Sequence, residues 1–410
     1  MDKTIKAGII ADSINQQGNR VTTYILTYPR IIHAELLTHR LFSRNAASSR
    51  AIPAKKMIKM IEEDPFIPIA WQKAHKGMQG TEYITDPELI KIERDEWLKD
   101  VNYELESAKK RISRGITKQL INRRLEDAQW YTVILTATEY DNFFELRCPQ
   151  YKMNVNNSIS DSKEVWKCFK SKKDYNKALL KYWDKTKSVD TELGADFNWY
   201  SINKSEAEIH IQALAEAMWD ARNESTPKLL QPGQWHIPFG DKFDRGRLNK
   251  AILQEYPLPE DYDFYGTAWT SEQVNKVMVK IATARCARIS YNNFEGKDDY
   301  LADLKLHDRL ASSGHWSPFE HCAQAMTDEE YYTHVRGQMR GGYEKVRDKN
   351  FKITNENQAV IIHEHYPKVY KTEECFFKDH DITKINIGNN EQYGWLRNFK
   401  GFKQYRTMVD

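Results

Sequence analysis

The 410-residue sequence predicts an α+β protein, and three observations carry that prediction. Residues 21–28 (VTTYILTY) are β-branched and aromatic and stop at Pro29, which reads as a strand. Apolar residues then recur at helical spacing in several separate stretches. Finally, 40% hydrophobic and 12% aromatic content is too apolar for disorder, while no apolar run approaches the ~18 residues needed to span a membrane.

The elements follow in chain order. Ile32, Leu36 and Leu37 open an amphipathic helix that is expected to run toward the polar stretch 43–50. A long helix near residues 91–112 carries Leu98, Val101, Leu105, Ala108 and Ile112 on one stripe. Residues 131–138 (YTVILTAT) fit either a strand or a deeply buried helix, since a short apolar run has no diagnostic period. Ser205, Glu206, Ala207 and Glu208 form a capping-box pattern ahead of Ile211, Leu214, Ala215 and Met218. A turn-rich loop, 231–239, precedes a helix marked by Val274, Val277, Ile281 and Ala284, and residues 358–362 read as a short strand.

Charge and cysteine content narrow the setting. With 61 Lys+Arg against 58 Asp+Glu the net charge is only +3, so local patches matter more than the total. Residues 163–187 hold nine lysines interleaved with Trp166, Phe169, Tyr175, Tyr182 and Trp183, a pattern that can serve nucleic acid. Asp161, Glu164, Asp174 and Asp184 dilute that field, and a solvated amphipathic insertion is the simpler account. Five scattered cysteines with no CxxC pair exclude a disulfide scaffold and fit a reducing compartment. The N-terminal apolar run ends at Asp12, too short for a signal sequence, so the expected location is the cytoplasm (of the host, if viral).

The densest cluster of ligand-binding side chains is residues 38–50, THRLFSRNAASSR. It holds three arginines, one histidine, one asparagine and three serines, and no acid. Small residues let backbone N–H groups approach an anion, and guanidinium supplies paired donors for phosphate or a pyrimidine edge. An exposed basic helix end with a polar loop has the same composition.

The order of the residues is more specific than their composition. His39, Arg40, Ser43, Asn45, Ser48 and Arg50 spell HRxxSxNxxSxR, which closely resembles the core motif of the flavin-dependent thymidylate synthases. Residues 142–147 (NFFELR) are similar to that family's NFLxLR segment, and residues 207–215 to the helix that follows. Residues 287–291 (ARISY) and 314–321 (GHWSPFEH) resemble its ARVS and GHxSPFEH segments. In the usual family these last two precede the HRxxS motif. Here they follow it by more than two hundred residues, so the chain resembles the long, phage-type, circularly permuted members. About half the chain is covered by the resemblance.

The resemblance implies a mixed, mainly antiparallel sheet with packed helices. It divides the chain into a motif-bearing half, 1–240, with an insertion at 150–204, and a second half, 241–410, the two packed into one catalytic unit. It also implies an activity: methylation of dUMP at C5 by a methyltransferase using FAD, with NADPH and methylenetetrahydrofolate as co-substrates and no nucleophilic cysteine. Arg50, Arg147 and Ser48 are then catalytic candidates; Glu35, Ser48, Ser49, Arg50, Arg123 and Arg147 would hold the nucleotide. His39, Arg40, Ser43, Asn45, Asn142, Ser290 and His321 would hold the flavin. The partners implied are small molecules and further copies of the chain, as a dimer or tetramer, with no membrane and no metal.

The chain departs from the family pattern at Thr38 and Asn122, where arginine is usual, at Ala46, where glutamate is usual, and at Glu35, where glutamine is usual. Arg336 or Arg340 could restore a lost cation. These departures keep open the same chemistry on another pyrimidine nucleotide such as dCMP, and the lysine-rich stretch keeps open a catalytically inactive nucleic-acid-binding relative. Lesser candidates are His363 and His365, which share one side of a strand as zinc ligands could, and the Trp235-His236 turn. Gly337, Gly341 and Gly342 lack the strand-and-helix context of a dinucleotide fingerprint, and Cys286 and Cys322 read as core residues.

Overall fold

The computed structural model describes residues 4–77, 80, 82–148, 207–259, 269–290, 299–331 and 399–409, and the backbone alone at 152–154, 166–168, 291, 351–355 and 358–361. The lysine-rich run 163–187, the His363–His365 pair, the 336–342 glycines and arginines, and Ser205 with Glu206 lie outside the side chains described.

β1 (Lys6–Asn15) and β2 (Arg20–Pro29) pair antiparallel around a turn in which Gly18 takes φ 80°, a conformation costly for residues with a Cβ. α1 (His33–Thr38) follows, and then β3 (Ser43–Ala46) in place of the expected helical continuation. Ser43 and Asn45 are weak helix formers, and pairing with β4 (Trp130–Ala137) supplies the ladder bonds instead. The first sheet has the order β3-β4-β2-β1-β7, where β7 (Lys228–Leu230) alone runs parallel to its neighbour. It is therefore mixed and mainly antiparallel.

Both faces of this sheet are covered, which is why residues 131–138 read ambiguously. One face carries Tyr24, Leu26, Tyr28, Val133 and Leu135 against α2 (Ala54–Glu63), α3 (Pro87–Ser113), α4 (Lys118–Ile121), α5 (Asp141–Arg147) and α6 (Ile209–Glu224). α3 starts on an Asp86 cap with proline at its first turn and buries Val101, Leu105 and Ala108, the predicted stripe. α6 starts later than the capping-box pattern suggests: Glu208 is the N-cap, its carboxylate accepting from His210 N and Ile211 N. β5 (Lys152–Asn154) and β6 (Trp166–Cys168) form a separate two-stranded pair.

The other face packs Ile25 and Ile134 against Cys286 and Ile289. It meets a three-stranded antiparallel sheet made of β8 (Trp235–His236), β9 (Ala323–Ala325) and β12 (Phe402–Gln404). Beside it α7 (Arg245–Glu255), α8 (Ser271–Arg288) and α9 (Tyr300–Ser312) share a core of Ile252, Val277, Ile281 and Leu304. β10 (Phe351–Asn355) and β11 (Gln358–Ile361) form a hairpin. Cys286 and Cys322 are fully buried, as core residues should be. Among the described residues no helix is long and apolar enough to cross a membrane.

Candidate functional site

The HRxxSxNxxSxR run folds as a helix end, an edge strand and a loop, and each part engages a different piece of the protein. α1 closes when Thr38 Oγ1 donates to the Glu35 carbonyl at 2.7 Å. Arg44 then donates Nη1 to the carbonyl oxygens of Leu36, Leu37 and His39, each at 3.3 Å. A cation on the orphan carbonyls of a helix end satisfies both hydrogen bonding and the helix dipole, so Arg44 serves the fold.

Along β3, Ser43 and Asn45 point inward, 3% and 5% exposed. Asn45 Nδ2 donates to Cys286 O at 3.1 Å near the C-terminal end of α8. Ser43 Oγ accepts from Gln404 Nε2 at 3.0 Å, and the same Nε2 donates to Glu320 O at 3.0 Å. Ser48 N donates to Ser290 O at 2.9 Å. His321 is fully buried, with Nδ1 2.8 Å from Thr136 Oγ1. The segments that are more than two hundred residues apart in sequence are thus in direct hydrogen-bond contact. The same contacts commit the side chains of Ser43 and Asn45, and the Nδ1 edge of His321, to the protein, although the sequence pattern assigns all three to a flavin.

The loop after β3 is braced from below. Asn122 is fully buried, and its Nδ2 donates to Ser49 O at 2.7 Å and Ile52 O at 2.8 Å. Lys118 Nζ adds a bond to Ala51 O at 2.9 Å. The residue standing where the family has arginine is therefore a loop anchor. The side chains it presents are Ser48 and Ser49, half-buried, and Arg50, exposed. Arg40 and Arg123 are exposed too, and neither they nor Arg50 make a hydrogen bond or ion pair with the described residues. Asn142 is exposed at the start of α5, and Ser290 is half-buried in a short 3-10 turn, Ile289–Tyr291.

A second cluster joins α1 to the end of α5. Arg147 Nη1 sits 3.6 Å from Glu35 Oε2, so two residues expected to hold a nucleotide hold each other. Burial, and then Glu208, push the Glu35 carboxyl above its ordinary range, while Arg147 and His210 oppose that rise. The His39 ring stacks on Phe42 and meets Phe143 edge-on at 4.9 Å between centroids. Burial first, then Arg147 and Arg44, hold the His39 pKa down to about 4, so its imidazole is neutral near pH 7. His39 Nε2 and Arg147 Nε are both buried without a partner.

Supports that the sequence reading missed come from outside the motifs. Asp303, wholly buried, accepts from Arg288 Nε at 2.6 Å and Arg285 Nε at 3.3 Å and so fixes the end of α8 just before Ser290. Gln404 and Arg406 reach in from the C-terminal segment, the latter pairing with Glu320 at 2.5 Å. Their only sequence signal is a short alternation at 402–405, too brief to read. Among the described residues no group of three His, Cys, Asp or Glu could hold a metal ion.

No protein-family model and no curated protein matches the chain. Solved structures similar to it include the UMP/dUMP methylase PolB from Streptomyces cacaoi bound with 5-Br dUMP, at 9% identity and TM-score 0.30, over 54% of this chain and 98% of that one. The same enzyme with 5-Br UMP matches at 10% identity and TM-score 0.30, over 53% and 97% of the two chains. A TM-score of 0.30 at such identity establishes neither a shared fold nor a shared substrate.

Proposed function

We propose that this protein is a flavin-dependent C5 methyltransferase acting on a pyrimidine nucleotide, dUMP in the first instance. One observation carries the reading: the HRxxSxNxxSxR strand and loop bond directly to the ARISY segment through Ser48 and Ser290. The motif resemblance and this contact are independent, since nothing in a chance motif match requires distant pieces to touch. The two halves would accordingly work as one catalytic unit.

Three free guanidiniums suit the phosphate-bearing ligands. Arg40, Arg50 and Arg123 have uncommitted N–H donors and no competing carboxylate among the described residues, which fits the pyrophosphate of FAD or a nucleotide phosphate. Bound there, a reduced flavin would supply the hydride. The chain would supply positioning and electrostatic stabilisation. Arg50 and Arg147 would polarise the pyrimidine, Ser48 and Ser49 would contact the nucleotide, and His39 Nε2, neutral and unpartnered, would face a ligand as donor or acceptor. The family resemblance implies a site shared between subunits.

NADPH and methylenetetrahydrofolate complete the proposed reaction. Glu35 bears on the substrate: paired with Arg147 it is compatible with a nearby phosphate, and its raised pKa lowers the cost further. A protonated or paired carboxyl could also accept the amino group of cytosine, so dCMP is the second reading. The test is flavin itself. Purified protein should be yellow or take up added FAD with a micromolar or tighter Kd. Failure of both, in folded protein, would overturn the reading.

A further inference from the structure

Five buried side chains form an unbroken file across the first sheet. Ser13 Oγ lies 2.9 Å from His236 Nδ1, and His236 Nε2 lies 2.8 Å from Thr23 Oγ1. Thr23 Oγ1 lies 2.8 Å from Thr136 Oγ1, which is 2.8 Å from His321 Nδ1. Ser13 is 4% exposed and the other four 0%. The file starts at β1, passes through β8, β2 and β4, and ends in the GHWSPFEH segment. At the far end His321 Nε2 is buried without a partner.

The near end is wet. Ser13 lines a cavity of about 290 Å³ with Asp12, Trp235, Asp241 and Asn275. Asp241 is exposed, and the lining is polar, so the space opens to solvent and has room for several waters at ~30 Å³ each. The file therefore joins an aqueous cavity to an orphaned imidazole nitrogen in the interior.

Every member can both donate and accept, and that fixes what the file can do. Two proton arrangements run head to tail through all four contacts. In the first, both histidines carry their proton on Nε2; Ser13 donates to His236, His236 to Thr23, Thr23 to Thr136, and Thr136 to His321. In the second, both carry it on Nδ1 and every bond is reversed. Of the two mixed pairs, one leaves the Thr23–Thr136 contact without a donor, and the other makes a buried threonine hydroxyl accept twice and turns its own proton out of the file, so neither passes a proton along it. Burial holds both imidazoles neutral, which both arrangements require.

We propose that Ser13, His236, Thr23, Thr136 and His321 form a proton relay between the cavity and His321 Nε2. Passage from the first arrangement to the second is balanced. Water delivers a proton to Ser13 Oγ, each member passes its own proton one place along, and the Nε2 proton of His321 leaves to a base presented there. The reverse passage takes a proton at Nε2 from an acid and returns one to water. Replacing the C5 hydrogen of a pyrimidine releases one proton, and disposing of it would be the relay's use. That use rests on the methyltransferase reading; the relay does not.

The test uses full-length protein labelled with ¹⁵N-histidine, without ligand for the tautomers and with excess imidazole as the base at the buried end for the exchange rates. Long-range ¹H–¹⁵N spectra report the protonated nitrogen of each ring. The relay predicts matched tautomers for His236 and His321, either one form or both in exchange. Opposite tautomers, or a cationic ring at neutral pH, would overturn it without any variant. Thr23→Val cuts the file while leaving both imidazoles. The His321 ring proton then exchanges with solvent only through local opening, roughly tenfold or more slowly than before. Thr23→Ser restores the wild-type rate. Equal exchange in wild type and Thr23→Val would reduce the file to a static brace and sink the proposal, with the flavin assay unaffected.

Discussion

The inward and outward side chains of one motif make opposite uses of the same polar chemistry. Ser43 and Asn45 face in, and both are committed to protein partners within 3.1 Å. Arg40 and Arg50 face out and are committed to nothing described. The inward set fastens an edge strand to Cys286 and to Gln404, while the outward set is free for an anion. One polar run is therefore two devices in one, and the difference can be broken experimentally.

The largest effect is expected on chemistry with little on the fold. Arg50→Ala should lower turnover about 10²–10³-fold, the usual cost of losing one electrostatic contact to a developing charge. Its unfolding free energy should stay within ~0.5 kcal/mol of wild type, because an exposed, unpaired side chain supports no structure. Arg147→Ala should abolish turnover while flavin stays bound; unchanged turnover would remove Arg147 from the site. Paired urea titrations and steady-state kinetics separate these outcomes.

Supports behave the other way. Asp303→Ala removes the buried carboxylate that Arg285 and Arg288 share and should cost about 3 kcal/mol, read as a lowered urea midpoint, with activity recovered in whatever fraction stays folded. Asn122→Ala frees the Ser49 and Ile52 carbonyls and should cost about 2 kcal/mol. Because that loop presents Arg50, KM for the nucleotide should rise as well. A stability loss with unchanged KM would show that the loop keeps its shape without the anchor.

Acid offers a milder probe of the interior. His236 and His321 are held by burial at about 4 and about 3, below the ordinary 6.5. The unfolded chain thus binds protons that the native protein refuses. Stability is full above about pH 6.5 and declines as pH falls toward 4, by up to ~1.4 kcal/mol per unit for each group. The urea midpoint should drop between pH 7 and pH 5; a flat profile would mean that the rings are solvated. The smallest effect is expected at the Glu35–Arg147 pair, where Glu35→Gln should change stability by less than ~1 kcal/mol.

Legibility in the sequence tracked locality. The buried stripes of α3 and α6 and the β2 strand were readable because side-chain period and exposure agree along one element. β4 was ambiguous because both its faces are covered, so the alternation that marks a strand is lost. β3 went unseen inside the polar stretch 43–50 because its pairing partner lies ninety residues away and leaves no local trace. In the site, motif spacing located the residues but not their orientation. That Ser43, Asn45 and His321 turn inward depends on Gln404, Cys286 and Thr136, all remote. Asn122, read as a lost cation, proved to be an anchor for the same reason.

The most direct test of the central claim is tritium release from C5-labelled dUMP, with dCMP in parallel, in the presence of FAD, NADPH and methylenetetrahydrofolate. Release from dUMP should need all three components and fall at least a hundredfold in Arg50→Ala. Release from dCMP alone would move the substrate and keep the chemistry. No release from either nucleotide by folded, FAD-loaded protein would contradict it.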